Sequence, residues 1–173
     1  GVLCALGWLF GFGFLADLDS LGVRPYPLHF DHEWHLSVDT AKSLITGKTR
    51  AVVVVHPNNP TGSFLKRSEA EALTELCAQH GIALVADEVF ADFGFGEDAR
   101  RHPTFAKDSP ALSFALGGLS KSCGLPQVKL GWIAVSGPAE LRNAALARLE
   151  FIADTYLSVA TPVQLALPAV LEH

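Results

Sequence analysis

Four short apolar runs are the sequence feature that most strongly limits which folds this chain can adopt. They are residues 50–55 (RAVVVV), 82–86 (IALVA), 111–116 and 130–135. The first run is β-branched and apolar on both faces, which is typical of a central strand in a parallel sheet. Segments with a helical pattern lie between these runs, and this alternation predicts an α/β fold, a mostly parallel open sheet between two layers of helices.

Local signals predict where the helices begin and end. Ser68 and Glu71 have the spacing of a capping box, and Gly81 ends the apolar pattern that follows them. Pro138 and Pro162 each stand where a proline is favoured, in the first turn of a helix. We therefore expect one helix between the first two strands and two more helices after the fourth strand.

Two further signals concern the sheet itself. Residues 23–29 alternate as a strand does, but Pro25 and Pro27 predict that this strand lies at an edge. The connection between the third and fourth apolar runs is too short and irregular for a helical crossover. We therefore expect residues 130–135 to run antiparallel to their neighbours.

Charge and cysteine content exclude some functions. The net charge of −5 argues against a broad surface for nucleic acid or acidic membrane. Cys4, Cys77 and Cys123 have no C-x-x-C spacing. We interpret them as free thiols in a reducing compartment, and so expect a cytoplasmic protein without nucleic-acid or membrane partners.

The chain opens with sixteen residues that carry no charge, GVLCALGWLFGFGFLA. This run is shorter than the roughly 20 residues of a membrane span and contains four glycines. It also lacks the basic start of a signal peptide. We interpret it as the edge of a larger domain in which these residues are buried.

A polar loop follows each of the first three apolar runs. The loops read HPNNPTG (56–62), DEVFADF (87–93) and GGLSKSCGLPQ (117–127). Ligands in open α/β sheets bind beyond the carboxyl ends of the strands. The three loops are therefore predicted to meet at one site.

Asn59, Asp87 and Lys121 give these loops a specific chemistry. A lysine amine forms Schiff bases with carbonyl compounds. A buried aspartate can hold a cationic ring nitrogen, an asparagine amide can donate to a ring oxygen, and hydroxyl and cationic groups near the lysine can hold a phosphate. Pyridoxal phosphate (PLP) carries all of these complementary groups.

The three motifs HPNNPTG, ADEV and LSKSCGLPQVKLGW, in this order, resemble the class I/II aminotransferases of PLP fold type I. The resemblance covers residues 15–171 and is carried mainly by residues 52–132. It implies a PLP-dependent transferase that moves an amino group from an amino acid to a 2-oxo acid, as a homodimer in its full-length form. Residues 1–173 would then be a segment of the PLP-binding large domain, without the N-terminal phosphate loop and the C-terminal small domain.

The resemblance also implies roles for individual residues. Lys121 matches the lysine that forms the Schiff base and moves the substrate proton. Asp87 matches the carboxylate that pairs with the ring nitrogen, and Asn59 matches the asparagine near the ring oxygen and the substrate carboxylate. Ser120 and Lys129 lie where the family has phosphate contacts.

Three residues depart from the family pattern. Phe90 stands beside the cofactor in place of a tyrosine, and therefore offers no hydroxyl to the ring oxygen. Lys129 stands in place of an arginine and cannot form the bidentate hydrogen bonds of a guanidinium group. Gly118 stands where a hydroxyl residue is common. Trp8 and Phe10 are candidates for the aromatic side chain that stacks on the ring.

Other functions can be considered for the same residues. A PLP-dependent lyase or decarboxylase would use the same site residues. A truncated domain could also be an inactive remnant that binds PLP weakly or not at all. Gly47-Lys48-Thr49 resembles the end of a P-loop, but position 42 is a lysine and a strand is predicted to follow, so we reject a nucleotide hydrolase.

A metal site was also considered. His29, His32 and His35 lie near Asp31 and Glu33 in the sequence. Their spacing matches neither H-E-x-x-H nor a zinc-finger pattern, and we predict no metal site.

Overall fold

A computed structural model describes residues 1–5, 16, 20–94, 96–156 and 158–172 of the chain. The strands are β1 (Val2–Ala5), β2 (Val23–Tyr26), β3 (Leu28–Asp31), β4 (Glu33–Leu36), β5 (Ala51–Val55), β6 (Ala83–Asp87), β7 (Ser113–Gly118) and β8 (Gly131–Ser136). The helices are α1 (Val38–Leu44), α2 (Arg67–His80), α3 (Leu119–Ser122), α4 (Ala139–Thr155) and α5 (Thr161–Leu171), and a 3₁₀ turn spans Pro126–Val128.

Six strands form one mixed sheet in the order β2-β1-β5-β6-β7-β8. The first five are parallel to one another, and β8 is antiparallel to β7. The predicted α/β class, with a mostly parallel sheet and one antiparallel strand, is therefore confirmed. Strand β5 lies inside the sheet, and its four valines are at most 2% exposed, as expected for a strand that is apolar on both faces.

Strand β7 includes two glycines that the sequence analysis assigned to a loop. It runs to Gly118 and pairs Gly117 with Trp132 and Gly118 with Gly131. A Cβ at Gly117 would collide with the indole of Trp132, and one at Gly118 would lie 3.1 Å from the carbonyl oxygen of Leu130. The glycines extend the strand because β8 approaches it too closely for side chains.

The strand predicted over residues 23–29 is two strands. It breaks at Pro27, where β2 ends and β3 begins. Strand β2 lies at the edge of the main sheet, as predicted, whereas β3 pairs with β4 in a separate antiparallel hairpin. Proline has no N–H to donate to a sheet, so the chain changes partners at this residue.

Helix α2 begins earlier than its predicted capping box. Lys66 is the N-cap residue, and its backbone N–H donates to Oε2 of Glu69 at 2.8 Å. A lysine side chain has no acceptor, so Glu69 alone supplies the cap. The helix ends, as predicted, at Gly81 in a left-handed conformation with φ of +60°.

The main core lies on the face of the sheet that α2 covers. Alternate strand residues such as Val52, Leu84 and Ala115 belong to it, together with Leu73 of α2. Successive strand side chains point to opposite faces. Asp87, which follows Ala86 of this core, therefore points away from it.

The apolar N-terminal run is described in part. Leu3, Cys4 and Ala5 of strand β1 are each at most 3% exposed. That the run as a whole is the edge of a larger domain stays a prediction. Trp8 and Phe10 lie outside the described residues. In the described parts of the chain, no helix combines the length and apolar character needed to cross a membrane.

Candidate active site

The three polar loops leave the sheet at the same edge. Val55 of β5 pairs with Asp87 of β6, and Asp87 pairs with Leu116 of β7. The backbone continues these ladders by one bond each, because His56 N–H donates to the Asp87 carbonyl at 2.8 Å and Glu88 N–H donates to the Leu116 carbonyl at 2.9 Å. The predicted convergence of the loops is therefore present in the backbone.

The first loop folds back on itself and places Asn59 at its tip. Asn58 N–H donates to the Ser63 carbonyl at 2.6 Å, and Gly62 N–H donates to the Asn58 carbonyl at 2.7 Å. The Asn58 side chain is buried and donates from Nδ2 to the Thr61 hydroxyl at 2.7 Å. These bonds fix the turn, and Asn59 stays exposed to a ligand.

His56 fastens the start of this loop to two other segments. Leu65 N–H donates to Nδ1 at 2.9 Å, so Nε2 carries the ring proton and donates to the His102 carbonyl at 2.7 Å. Burial lowers the pKa of His56 to about 4. The neutral ring therefore has a structural role.

Asp87 presents a buried carboxylate at the end of β6. It is 3% exposed, and its Oδ1 accepts a hydrogen bond from Val89 N–H at 3.1 Å. Burial raises the pKa of this carboxyl group, while the Val89 bond opposes the shift. Among the described residues, no cationic side chain forms a salt bridge with Asp87. A cationic ligand group would stabilise its charged form.

The neighbouring Glu88 is occupied by structural contacts. Its two oxygens accept hydrogen bonds from the Thr104 hydroxyl and from Phe105 N–H, both at 2.7 Å. Burial raises the pKa of this carboxyl group as well. Glu88 thereby holds the segment around residues 104–105 against the end of β6.

Lys121 lies in the short helix α3, directly after β7, and its side chain is exposed. Its Nζ is 5.7 Å from the centre of the Phe90 ring. Phe90 in turn lines a cleft of about 350 Å³ with Asn59. The amine of the third loop therefore lies near an aromatic ring of the second loop, and that ring lines the same cleft as Asn59 of the first loop.

None of the described residues that line the cleft has a charged side chain. Its lining is proline, glycine, asparagine and phenylalanine: Pro57, Asn58, Asn59, Pro60, Gly62, Phe90, Phe93 and Gly94. Such a cleft suits a flat, largely apolar ring that makes its polar contacts at the rim.

A family model, aminotransferase class I and II, matches residues 15–173 of the chain. The chain belongs to this family. Nicotianamine aminotransferase A from Hordeum vulgare is 34% identical over 164 residues, which are 91% of this chain and 34% of that protein. An S-alkyl-thiohydroximate lyase from Arabidopsis thaliana is 31% identical over 160 residues, again 91% of this chain and 34% of the relative.

A solved alanine aminotransferase from Pyrococcus furiosus has the same fold. Its TM-score is 0.83 at 23% sequence identity, and the match covers 95% of this chain and 42% of that one. The chain thus spans about a third of the length of the curated relatives it matches. Members of the class I and II aminotransferase family use PLP.

Of the six predicted site residues, all of them described, Asn59 and Phe90 line this cleft, whereas Lys121 does not. Asp87, Ser120 and Lys129 are not among the cleft-lining residues. Ser120 is half-buried in α3, one residue before Lys121. Lys129 is exposed, follows the 3₁₀ turn, and has a φ of +51°.

The sequence did not predict that Phe93 and Asn58 line the cleft. Phe93 lines the cleft and packs on Phe90 with ring centres 5.9 Å apart, and Asn58 also lines the cleft. The spacing of the two phenylalanines across a turn was the available signal for Phe93. Glu88 was interpreted as a structural or solvated neighbour of Asp87, and its bonds to Thr104 and Phe105 give it a structural role.

The histidines considered for a metal site have other contacts. His29 and His35 face each other across the β3–β4 hairpin with ring centres 5.7 Å apart. Within the described ranges, no group of three or more potential metal-ligating side chains is placed to hold an ion.

Proposed function

We propose that this chain forms part of the PLP-binding large domain of an aminotransferase. The reaction moves the amino group of an amino acid to a 2-oxo acid. The observation that carries the proposal is the approach of the Lys121 amine to Phe90, which lines a cleft with Asn59 and follows the buried Asp87 by three residues. Family membership supports the same conclusion.

The residues present fit PLP as a ligand. When bound, PLP supplies an aldehyde that captures amines and a ring that accepts electrons. Lys121 offers an accessible amine, Asp87 a buried carboxylate with no cationic partner among the described residues, and Asn59 an exposed amide. The cleft walls offer an apolar surface for a ring.

Each side chain has a separate task in this proposal. Lys121 would bind the carbonyl carbon of PLP through its amine, with loss of water, and would move a proton to and from the substrate α-carbon. Asp87 keeps a cationic ring nitrogen charged, since it is buried where water cannot screen the pair. Asn59 orients the ring oxygen and the substrate carboxylate. Ser120 and Lys129 contribute a hydroxyl and a cation to the phosphate.

Two of the three departures, at Phe90 and Lys129, weaken the binding of the cofactor without removing its chemistry. Phe90 contributes a ring face and no hydroxyl, so Asn59 is left to bind the ring oxygen. Lys129 keeps the positive charge that an arginine would supply, but as a single point charge. We therefore expect weaker binding of PLP than a tyrosine and an arginine would give.

The decisive experiment traps PLP on the chain. The purified chain is incubated with PLP and treated with borohydride, and the modified peptide is found by mass spectrometry. We expect one major adduct, on Lys121, and its loss in Lys121→Ala. Lys107→Ala, which removes another exposed lysine, should leave the adduct unchanged.

The same experiment tests the inactive-remnant alternative. Label spread evenly over the exposed lysines, with no difference between the wild type and Lys121→Ala, would show that this chain has no working site.

A lyase is the second candidate, and one relative supports it. The Arabidopsis protein that is 31% identical to this chain is named as an S-alkyl-thiohydroximate lyase. The longer protein that contains this chain can be supplied with an amino acid and a 2-oxo acid. Formation of a new amino acid and a new 2-oxo acid supports transfer, whereas loss of a side-chain fragment supports the lyase.

The remaining expectations are also proposals. We propose a homodimer for the full-length protein and a cytoplasmic location. The free Cys4 and Cys77 support a reducing compartment: both are buried, and burial raises their pKa values to about 11 and about 12. Such thiols are protonated and unreactive at neutral pH.

A further inference from the structure

The contact between Lys121 and Phe90 has the geometry of a cation–π interaction. Nζ lies 5.7 Å from the ring centre, within the roughly 6 Å over which such contacts are attractive. In the described part of the chain, Lys121 takes part in no salt bridge. The ring face is therefore the feature that orients an otherwise exposed ammonium group.

The ring is held more firmly than the lysine. Phe93 packs edge-on against Phe90, with an interplanar angle of 79°. Phe93 N–H donates to the Phe90 carbonyl, and Ala91 N–H donates to the Glu88 carbonyl, each at 2.9 Å. Arg101 also donates from Nη2 to the Ala91 carbonyl at 2.7 Å. The turn around Phe90 is thus fixed by its own backbone and by a neighbouring segment.

The position of the ring decides where the amine is held. Phe90 forms part of the wall of the cleft that carries Asn59. An ammonium group over this ring lies next to a residue of the cleft wall, although Lys121 is not itself one of the lining residues. Without the ring, the Lys121 side chain would sample many solvent-exposed conformations.

We propose that Phe90 is a positioning residue for Lys121: its ring face holds the protonated side chain next to the cleft wall, where the amine, after losing its proton to water, condenses with a carbonyl ligand and releases water. This inference rests on the proposed role of Lys121. An exposed cation–π contact changes the occupancy of such a position by about twofold to fivefold. A phenylalanine performs this task as well as a tyrosine, because the ring face and not the hydroxyl makes the contact.

The first part of the test uses nuclear magnetic resonance and no ligand. A side chain above an aromatic face has its ε-proton resonances shifted upfield, and Lys121→Arg identifies the Lys121 signal. We expect this shift in the wild type and in Phe90→Tyr, and its loss in Phe90→Leu. Phe30→Leu, the same change on an exposed ring of the hairpin, should retain it. A wild-type Lys121 signal among those of the other lysines overturns the proposal, whether or not Phe90→Leu folds.

The second part measures capture. At a PLP concentration that modifies less than half of the wild type, we expect about twofold to fivefold less borohydride-fixed adduct on Lys121 in Phe90→Leu. Phe90→Tyr should match or exceed the wild type. Equal capture by Phe90→Leu and the wild type overturns the positioning role of Phe90 but leaves the proposed function of the chain intact. A wild type without any Lys121 adduct instead refutes the proposed function of the chain.

Discussion

At the scale of single residues, His56 shows how one buried ring can join distant segments. Its backbone N–H bonds to Asp87, and its two ring nitrogens bond to Leu65 and to the carbonyl of His102. Both ring bonds require the neutral tautomer with the proton on Nε2. Protonation of Nδ1 would break the bond from Leu65, so folding holds the ring neutral.

The depressed pKa of His56 predicts a pH-dependent stability. The folded value is about 4 against an ordinary 6.5, so this contribution is complete above pH 6.5 and is lost as the pH falls toward 4. We expect a loss of about 3 kcal/mol in the free energy of unfolding over this interval. Urea titrations from pH 7.5 to pH 4 measure it.

A matched comparison isolates this effect from other titrating groups. His56→Gln should be less stable at pH 7 but should lack this part of the pH dependence. His80→Gln, which changes an exposed histidine, should behave as the wild type. Parallel pH profiles of the wild type and His56→Gln would contradict the assignment.

The proposed site residues differ in how far the sequence predicted their arrangement. Asn59, Asp87 and Lys121 each follow an apolar run, and the rule that ligands bind at the carboxyl ends of strands was enough to group them. The contact between Lys121 and Phe90 was not predictable, because it depends on the side-chain directions of two loops. The cleft contribution of Phe93 depends on the same turn geometry.

At the scale of elements, the β7–β8 pair determines the form of the loop that carries Lys121. The antiparallel direction of β8 was predicted from the shortness of its connection and is confirmed. The register was not predicted, and it places the indole of Trp132 across Gly117. Helix α3 begins directly after this close contact. The pairing of β7 with β8 therefore fixes the position of the helix that carries Lys121.

A side chain at Gly117 should disturb this pair. Gly117→Ala places a methyl group into the Trp132 indole, and overpacking of this kind costs about 1–3 kcal/mol. We expect a lower free energy of unfolding and a shifted Trp132 Nε1–H resonance. Gly47→Ala is the control, because open space surrounds that glycine. Equal stability of the two variants, with an unmoved Trp132 signal, would argue against the register.

Helix ends show the limit of local signals. Gly81 ended α2 as predicted, because a left-handed C-cap needs no distant partner. The predicted start at Ser68 was two residues late, since the cap forms between Lys66 and Glu69. Glu69 also accepts a hydrogen bond from Leu36 N–H at 3.3 Å, a tertiary contact that no capping pattern contains.

At the scale of the whole molecule, charged groups attach the β3–β4 hairpin to the rest of the chain. Glu33 of β4 forms salt bridges with Lys66, at the start of α2, and with Arg100 at 3.2 Å. Arg100 also pairs with Asp98 at 2.7 Å. Lys66 and Arg100 lower the pKa of Glu33, so this attachment is present above its ordinary pKa and weakens as acid protonates the carboxylate.

Removal of the Glu33 charge should loosen the hairpin without unfolding the sheet. We expect Glu33→Gln to increase hydrogen–deuterium exchange in residues 28–36 and to leave strand β5 protected. Asp31→Asn removes the same charge from the same hairpin, where the partner is an exposed His32, and should change exchange little. The difference should shrink in high salt, since the pairs are near the surface. Equal exchange in both variants would show that the ion pairs do not hold the hairpin.

By itself, the sequence determined the α/β class, the central position of β5, the antiparallel β8 and the family, because these follow from short-range patterns and ordered motifs. Only the tertiary structure decided the break at Pro27, the bonds of His56, and the place of Lys121 over Phe90. Each of these depends on which distant segments become neighbours. A sequence pattern indicates whether a residue prefers a strand or a helix. It does not indicate which distant atoms contact the side chain of that residue after folding.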